Sequence, residues 1–216
     1  IPLTTDTVVL FLALLAVVAE IGVVAGLVLA AGRRVPGLDR LGRALAADLA
    51  PAALGLAAAV ALVATVGSLY LSEVAHFVPC RLCWVQRAAM YPLGPVLAVA
   101  AWRGSGAVRR RVASGGAVVA GLGGLVSTYH LVLERFPSLE SGACDPTNPC
   151  SLIWVRRFGY LTIPGMALSG FLLIVGLLLV ARLGDRVSDR AGTRQASSRT
   201  GSGSSTTSPD ASRSTR

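Results

Sequence analysis

Residues Leu49–Ser72, LAPAALGLAAAVALVATVGSLYLS, contain no charged side chain. A helix needs about 20 such residues to cross a membrane, because a rise of 1.5 Å per residue must span a hydrocarbon core of about 30 Å. The segment lacks the regular alternation of polar and apolar residues that marks a strand of a membrane barrel. It therefore predicts a transmembrane α-helix and places the chain among integral membrane proteins.

The whole chain has the composition that such a helix requires. Of its 216 residues 53% are hydrophobic and only 14% are charged, whereas a soluble domain carries about 25% charged residues. Four further charge-poor runs predict additional spans: Val8–Ala31, Ala88–Trp102, Val112–Leu133 and Phe158–Ala181. The run from Ala88 is short, so we expect its helix to begin before Arg87.

The orientation of these spans follows from arginine, since all 20 basic residues are arginines and short basic segments stay in the cytoplasm. Clusters follow the first, third and fifth runs, on one side of the membrane: Arg33, Arg34, Arg40 and Arg43; Arg103, Arg109, Arg110 and Arg111; Arg182, Arg186, Arg190 and Arg194. On the other side, arginines are fewer and mixed with acids. The N-terminus is therefore expected outside and the C-terminus in the cytoplasm.

Three regions divide the chain. Residues 1–48 hold the first helix and a basic cytoplasmic loop, residues 49–183 hold four helices, and residues 184–216 are rich in Ser, Thr, Gly and Arg. The last region has almost nothing to bury, which predicts a disordered tail. The first helix lacks the basic start and cleavage site of a signal peptide, so we expect it to be retained. Because the arginines border helices, the high net charge does not indicate nucleic-acid binding.

The first cysteine pair lies in Pro79–Arg87, PCRLCWVQR, where the third helix begins on the outer side. Thiols three residues apart share one face of a helical turn. The helix N-terminus and the charges of Arg81 and Arg87 favour a thiolate there, which makes a C-x-x-C pair redox-active. The alternative, half of a zinc site, is weaker because structural zinc needs four converging ligands.

The second pair, Cys144 and Cys150, encloses a short outer loop, CDPTNPC, whose prolines and Asx residues predict a compact turn. A disulfide across this loop is sterically reasonable. In an exposed loop it would be open to attack by another protein's thiol, although a purely structural bridge is the alternative. With both pairs on the outer side, the cysteines face an oxidising compartment.

Together these residues resemble the DsbB/BdbC family of disulfide bond formation proteins, membrane thiol oxidases that reoxidise a thioredoxin-like partner with quinone. The resemblance spans about residues 50–181 and includes Ser68-Leu69-Tyr70, Glu73, Pro79–Arg87, Met90-Tyr91-Pro92, Cys144–Cys150 and Ile163-Pro164. It implies an all-α membrane protein with a four-helix DsbB-like bundle. The chain departs from the family by one extra N-terminal transmembrane helix and by its tail.

The resemblance also implies a relay. Cys144 would form a mixed disulfide with an extracytoplasmic thioredoxin-fold (DsbA-like) protein, and Cys150 would exchange with Cys80. Cys83 would end as the thiolate facing a membrane quinone, either menaquinone or ubiquinone. The implied location is the plasma membrane of a bacterium, with the cysteines on the extracytoplasmic face.

Three further residues have candidate roles. Arg87 follows Cys83 by one helical turn and would stabilise its thiolate and a quinone oxygen, although an interfacial arginine is the alternative. His130, near the outer end of the fourth helix, could donate a proton to the quinone or only hydrogen-bond a neighbouring helix. Glu20, in the extra helix, is expected to pair with another helix. No resident metal is expected.

Two rival functions remain open at this stage. Enzymes similar to vitamin K epoxide reductase share the four-helix redox plan, but they usually place the quinone-facing C-x-x-C after the loop pair, and here the order is reversed. A non-enzymatic membrane protein with two structural disulfides would not need Gln86 and Arg87 beside a C-x-x-C.

Overall fold

The computed structural model describes residues 4–140, 144–145 and 147–202, with side chains described up to position 184. Within these residues the chain forms five α-helices: α1 (Thr5–Ala31), α2 (Pro36–Leu69), α3 (Arg81–Arg103), α4 (Gly106–Arg135) and α5 (Ile163–Ser202). A short antiparallel hairpin of β1 (Arg156–Arg157) and β2 (Leu161–Thr162) precedes α5. The predicted all-α class is therefore confirmed.

Among the described residues, four helical segments are long and apolar enough to cross a membrane: Thr5–Arg34, Pro36–Val74, Gly106–Arg135 and Ile163–Gly184. The remaining helix, α3, has 23 residues but also contains Gln86, Arg87 and two prolines, which reduce its hydropathy. Its start at Arg81 confirms that the third predicted run extends to residues before Arg87.

Helices α2 to α5 pack around one core, and α1 lies against the outside of α5 and α2. The largest fully buried side chains of this cluster come from α2, α3 and α5: Leu54, Leu97, Phe171, Ile174 and Leu178. Small residues allow the helices to approach closely, as is usual in membrane bundles. At Gly123 a Cβ atom would overlap the ring of Phe171, so glycine allows this close contact between α4 and α5.

The basic segment that follows α1 is helical, which corrects the predicted loop. After a single turn at Gly32–Arg34, α2 begins at Pro36 and continues through the predicted boundary at residues 48 and 49. Proline is favoured in the first helical turn, and Asp39 forms a 2.6 Å ion pair with Arg43 one turn later. These local interactions support a helix where hydropathy alone indicated only a polar connection.

The start of α5 also differs from the prediction, which placed the fifth span from Phe158. Residues 156–162 instead form the hairpin, whose tight turn has positive φ angles at Phe158 (52°) and Gly159 (79°). Helix α5 then begins at Ile163, with a proline in its first turn. Because Phe158 and Leu161 are apolar, the sequence did not indicate that the backbone changes conformation between them.

At its other end, the backbone of α5 continues to Ser202, past residue 184, where the sequence predicted a disordered tail. Adding residues to an existing helix avoids the cost of nucleation, and the segment contains Arg, Ala and Gln, which favour helices. The remainder of the predicted tail, residues 203–216, lies outside the described residues.

Candidate functional site

The first cysteine pair lies at the N-terminus of α3, as predicted. Cys80 is the N-cap residue, and its sulfur accepts a hydrogen bond from the backbone N–H of Cys83 at 3.4 Å. The two sulfurs lie 3.1 Å apart as free thiols, with Cys80 buried and Cys83 half-buried. The free N–H groups and the dipole of the helix end both favour negative charge at Cys80.

The charge of the reduced pair is concentrated on one sulfur. A hydrogen bond of 3.1 Å joins the sulfurs of Cys80 and Cys83, and it lowers the pKa of Cys80 to about 4 despite the opposing effect of burial. His130 lowers it further through a contact of 3.7 Å between Nε2 and the same sulfur. These contacts favour the thiolate form of Cys80, and thiolates are the reactive form in disulfide exchange.

The second pair, Cys144 and Cys150, forms a disulfide in the structure. Glu140 holds its loop, because its carboxylate accepts a bond from the backbone N–H of Cys150 at 2.6 Å and one from the Ser151 hydroxyl at 2.7 Å. The Asn148 amide donates to the carbonyl of Pro79 at 3.2 Å. These contacts fix the loop directly above the start of α3.

The two pairs meet in one buried cluster, which spacing along the sequence could not predict. Cys80, Cys150 and Leu133 are each less than a tenth exposed and pack together, with Cys83 and Cys144 at the edge. His130 Nε2 lies 2.9 Å from the carbonyl oxygen of Cys150 and also contacts Cys80. The arrangement places Cys80 and Cys150 in one buried cluster.

An apolar cavity of about 330 Å³ opens beside the first pair, between α1, α2, α3 and α5. Its polar lining includes Cys83, Gln86 and Arg87, together with Ser68 and Tyr91. The Arg87 guanidinium donates to the carbonyl of Ser68 at 3.0 Å and lies 5.3 Å from the centre of the Trp84 ring. A mostly apolar cavity with a few converging polar groups is typical of a small-molecule site.

This cavity fits a quinone head group. Such a ring needs apolar walls, hydrogen-bond donors for its two oxygens and access to an electron donor, and the cavity has donors at Gln86 and Arg87 and a thiol at Cys83. Sequence spacing correctly placed Cys83 and Arg87 together. The sequence does not indicate that Arg87 bonds the carbonyl of Ser68, or that α1 forms part of the cavity wall.

His130 does not line the cavity, although the sequence made it a candidate cofactor-binding residue. Its ring is 2% exposed and contacts Cys80, Cys150 and, through Nδ1 at 3.4 Å, the amide of Gln86. Gln86 therefore separates it from the cavity. The fold directs His130 towards the junction of the two cysteine pairs, because α4 approaches α3 at that point.

Two groups of donors come close enough to hold a metal ion. Cys80, Cys83 and His130 form one group, and Glu140 with the loop cysteines forms the other. Each has three members among the described residues, whereas a structural zinc site holds four. In the second group both sulfurs are already joined in a disulfide. The geometry therefore favours thiol chemistry over structural metal binding.

Comparison with known proteins supports the same region. Residues 50–181 match the family model described as "Disulfide bond formation protein DsbB". The "Probable disulfide formation protein" of Oceanobacillus iheyensis is 42% identical over 127 residues, which cover 56% of this chain and 83% of that protein. "Disulfide bond formation protein C" of Bacillus subtilis is 39% identical over 117 residues, covering 54% and 82%. No solved structure matches the chain.

Proposed function

Because the chain belongs to the DsbB family of membrane disulfide bond formation proteins, we propose that it reoxidises an extracytoplasmic thioredoxin-fold (DsbA-like) protein and passes the electrons to a membrane quinone, either menaquinone or ubiquinone. One observation carries the proposal. The loop disulfide and the C-x-x-C pair share a buried cluster, and Cys83 of that cluster lines the cavity that fits a quinone.

Electrons enter at the loop pair. A thiolate of the reduced partner attacks the sulfur of Cys144, so that a mixed disulfide forms and Cys150 leaves as a thiolate. Cys150 then attacks Cys80 in the oxidised Cys80–Cys83 pair, which forms a Cys150–Cys80 disulfide and releases Cys83 as a thiolate. Each step exchanges one disulfide for another, so the two electrons stay within the protein.

Electrons leave at the cavity. The bound quinone supplies the oxidising power, since it accepts two electrons and two protons. Cys83 lies at the cavity wall, and Arg87, one turn later on the same face of α3, favours the thiolate of Cys83 and can donate to an oxygen of the ring. The partner's second thiol attacks the partner's own sulfur in the mixed disulfide, so the partner leaves with a disulfide and Cys144 leaves as a thiolate. Cys144 then attacks Cys150, which forms the loop disulfide again and releases Cys80 as a thiolate. When Cys80 and Cys83 join again, their two electrons depart to the quinone.

The proposal is tested with purified protein, a reduced thioredoxin-fold protein and a short-chain quinone analogue under anaerobic conditions. We expect oxidation of the partner's thiols to continue beyond one equivalent of the protein only when the quinone is present, with one quinol formed for each further partner disulfide. Thiol oxidation that proceeds equally without quinone, or that yields no quinol, would remove the quinone from the mechanism.

Arg87→Ala should raise the quinone concentration needed for half-maximal turnover, because it removes a cation from the cavity. Loss of one partly desolvated charge contact costs about 1.5 to 3 kcal/mol, which corresponds to roughly one to two decades in kcat/KM. Arg87→Lys should recover part of the lost kcat/KM, since lysine restores the positive charge but lacks the planar guanidinium group with its paired N–H donors. Steady-state quinone reduction measures both variants.

Arg103→Ala, at the other end of α3, is the matched control for charge removal and should leave quinone kinetics unchanged. Because Arg87 also bonds the carbonyl of Ser68, the loop disulfide and the thermal stability of each variant are measured in parallel. If Arg87→Ala showed normal quinone kinetics, the role of Arg87 would be structural, through its bond between α3 and α2.

We also propose that the cysteine end of the bundle faces away from the cytoplasm, on the evidence of the arginine clusters. A single-cysteine variant that keeps Cys144, which is half-buried, should react with a membrane-impermeant maleimide on intact, reduced cells. Ser105→Cys in a cysteine-free background, at the exposed turn between α3 and α4, should react only after permeabilisation. The opposite labelling pattern would show that the cysteine end of the bundle faces the cytoplasm.

A further inference from the structure

Helix α1 forms part of the cavity wall, although it lies outside the segment that matches the family. The α1 residues that line the cavity are Leu12, Leu15, Ala16 and Ala19. Their spacing of three and four places them on one helical face. Cys83, Gln86 and Arg87 of α3 line the same cavity. The extra helix therefore contributes to the site where electrons leave the protein.

Polar contacts fix the rotation and depth of this helix. The Glu20 carboxylate accepts hydrogen bonds from the Tyr160 hydroxyl at 2.7 Å and from the Ser169 hydroxyl at 3.0 Å. Nearer the N-terminus, Asp6 forms an ion pair with Arg157 of the hairpin. Ionisable groups within a membrane span are costly unless paired, so these contacts hold one face of α1 towards α5.

The side chains on that face also set the size of the cavity. Ala16 and Ala19 are 6% and 5% exposed, and Leu12 and Leu15 flank them along the helix. Two alanines leave space that larger side chains would fill. Glu20 directly follows Ala19, so its bonds to Tyr160 and Ser169 keep this part of the wall in position.

We propose that α1 is a specificity-determining wall of the quinone site and limits the size of the ring that reaches Cys83. The proposal rests on the proposed quinone chemistry and adds to it residues from a helix outside the family segment. It assigns a ligand-binding role to Ala16 and Ala19. A bicyclic naphthoquinone should be more sensitive to this wall than a monocyclic benzoquinone.

The test uses Ala19→Leu in the full-length protein, with Ala25→Leu as its matched control. Ala25 is exposed on the same helix and does not line the cavity. Ala19→Leu should raise the KM for a short-chain naphthoquinone about tenfold, because the larger side chain would occupy cavity space that the ring needs. The KM for a short-chain benzoquinone should rise less, and Ala25→Leu should match wild type for both.

A second variant tests the same wall in case Ala19→Leu does not fold. Leu15→Ala removes side-chain volume at a position that is 39% exposed, so it should fold, and it should raise both KM values by loss of contact. Stoichiometric oxidation of a reduced thioredoxin-fold protein by the loop disulfide, without quinone, should be unchanged in all variants.

The outcomes separate the two proposals. If wild type reduces quinones and both Ala19→Leu and Leu15→Ala keep wild-type KM values, α1 is not part of the site and only this inference fails. A KM change in Ala25→Leu equal to that in Ala19→Leu would also overturn it, since position would not matter. If wild type reduces neither quinone, the proposed function fails together with the inference.

Discussion

Cys144→Ser should abolish oxidation of a reduced thioredoxin-fold protein while leaving the Cys80 and Cys83 pair able to reduce quinone. Cys144 is the accessible member of the loop disulfide, because it is half-buried whereas Cys150 is 1% exposed. An incoming thiolate therefore reaches Cys144 first. Without that sulfur the loop has no disulfide to attack, and partner oxidation should fall to the rate of the uncatalysed mixture.

Two assays on the same preparation measure this separation. The first follows partner thiols in the presence of quinone, and the second follows quinone reduction when dithiothreitol supplies the electrons directly. Cys150→Ser should show the same pattern as Cys144→Ser. The control Ser151→Ala removes one hydrogen bond to Glu140 but keeps both cysteines, so it should retain partner oxidation. Wild-type turnover in Cys144→Ser would make the loop disulfide a structural bridge.

The helices could be predicted from the sequence because lipid imposes a simple requirement. A backbone without water must satisfy its own hydrogen bonds, so a charge-free run such as Leu49–Ser72 becomes helical. The same logic failed at Phe158, where an apolar run contains a hairpin turn with positive φ angles. It also failed at Pro36–Asp48, where a helix that hydropathy did not indicate begins with a proline and contains the Asp39–Arg43 ion pair.

Within the site, the accuracy of prediction depended on distance along the chain. Cys83 and Arg87 are four residues apart on one helix, so helical geometry alone placed them on the same face. The sequence places His130 near the outer end of α4 but does not indicate which residues it contacts. Its contacts with Cys80 and Cys150 depend on how α3, α4 and the loop pack. The predicted pairing of Glu20 with another helix is confirmed by its bond to Ser169 of α5.

Cys83→Ser should abolish quinone reduction and redirect the disulfides within the protein. With Cys83 absent, the Cys80 thiolate has no partner within its own pair, but it lies in the same buried cluster as Cys150. Attack of Cys80 on the Cys150 sulfur breaks the loop disulfide, forms a Cys80–Cys150 disulfide and releases Cys144 as a free thiol. This exchange needs no external oxidant, because one disulfide replaces another.

The most direct test of the electron path is therefore to identify the disulfide in purified Cys83→Ser by mass spectrometry of alkylated, unreduced peptides. We expect a peptide pair joined through Cys80 and Cys150, with Cys144 alkylated. Cys80→Ser, which keeps Cys83 at the cavity wall, is the matched control and should retain the Cys144–Cys150 disulfide. If Cys83→Ser contained only the Cys144–Cys150 disulfide and an alkylated Cys80, the two pairs would not exchange, and the proposed path from partner to quinone would be wrong.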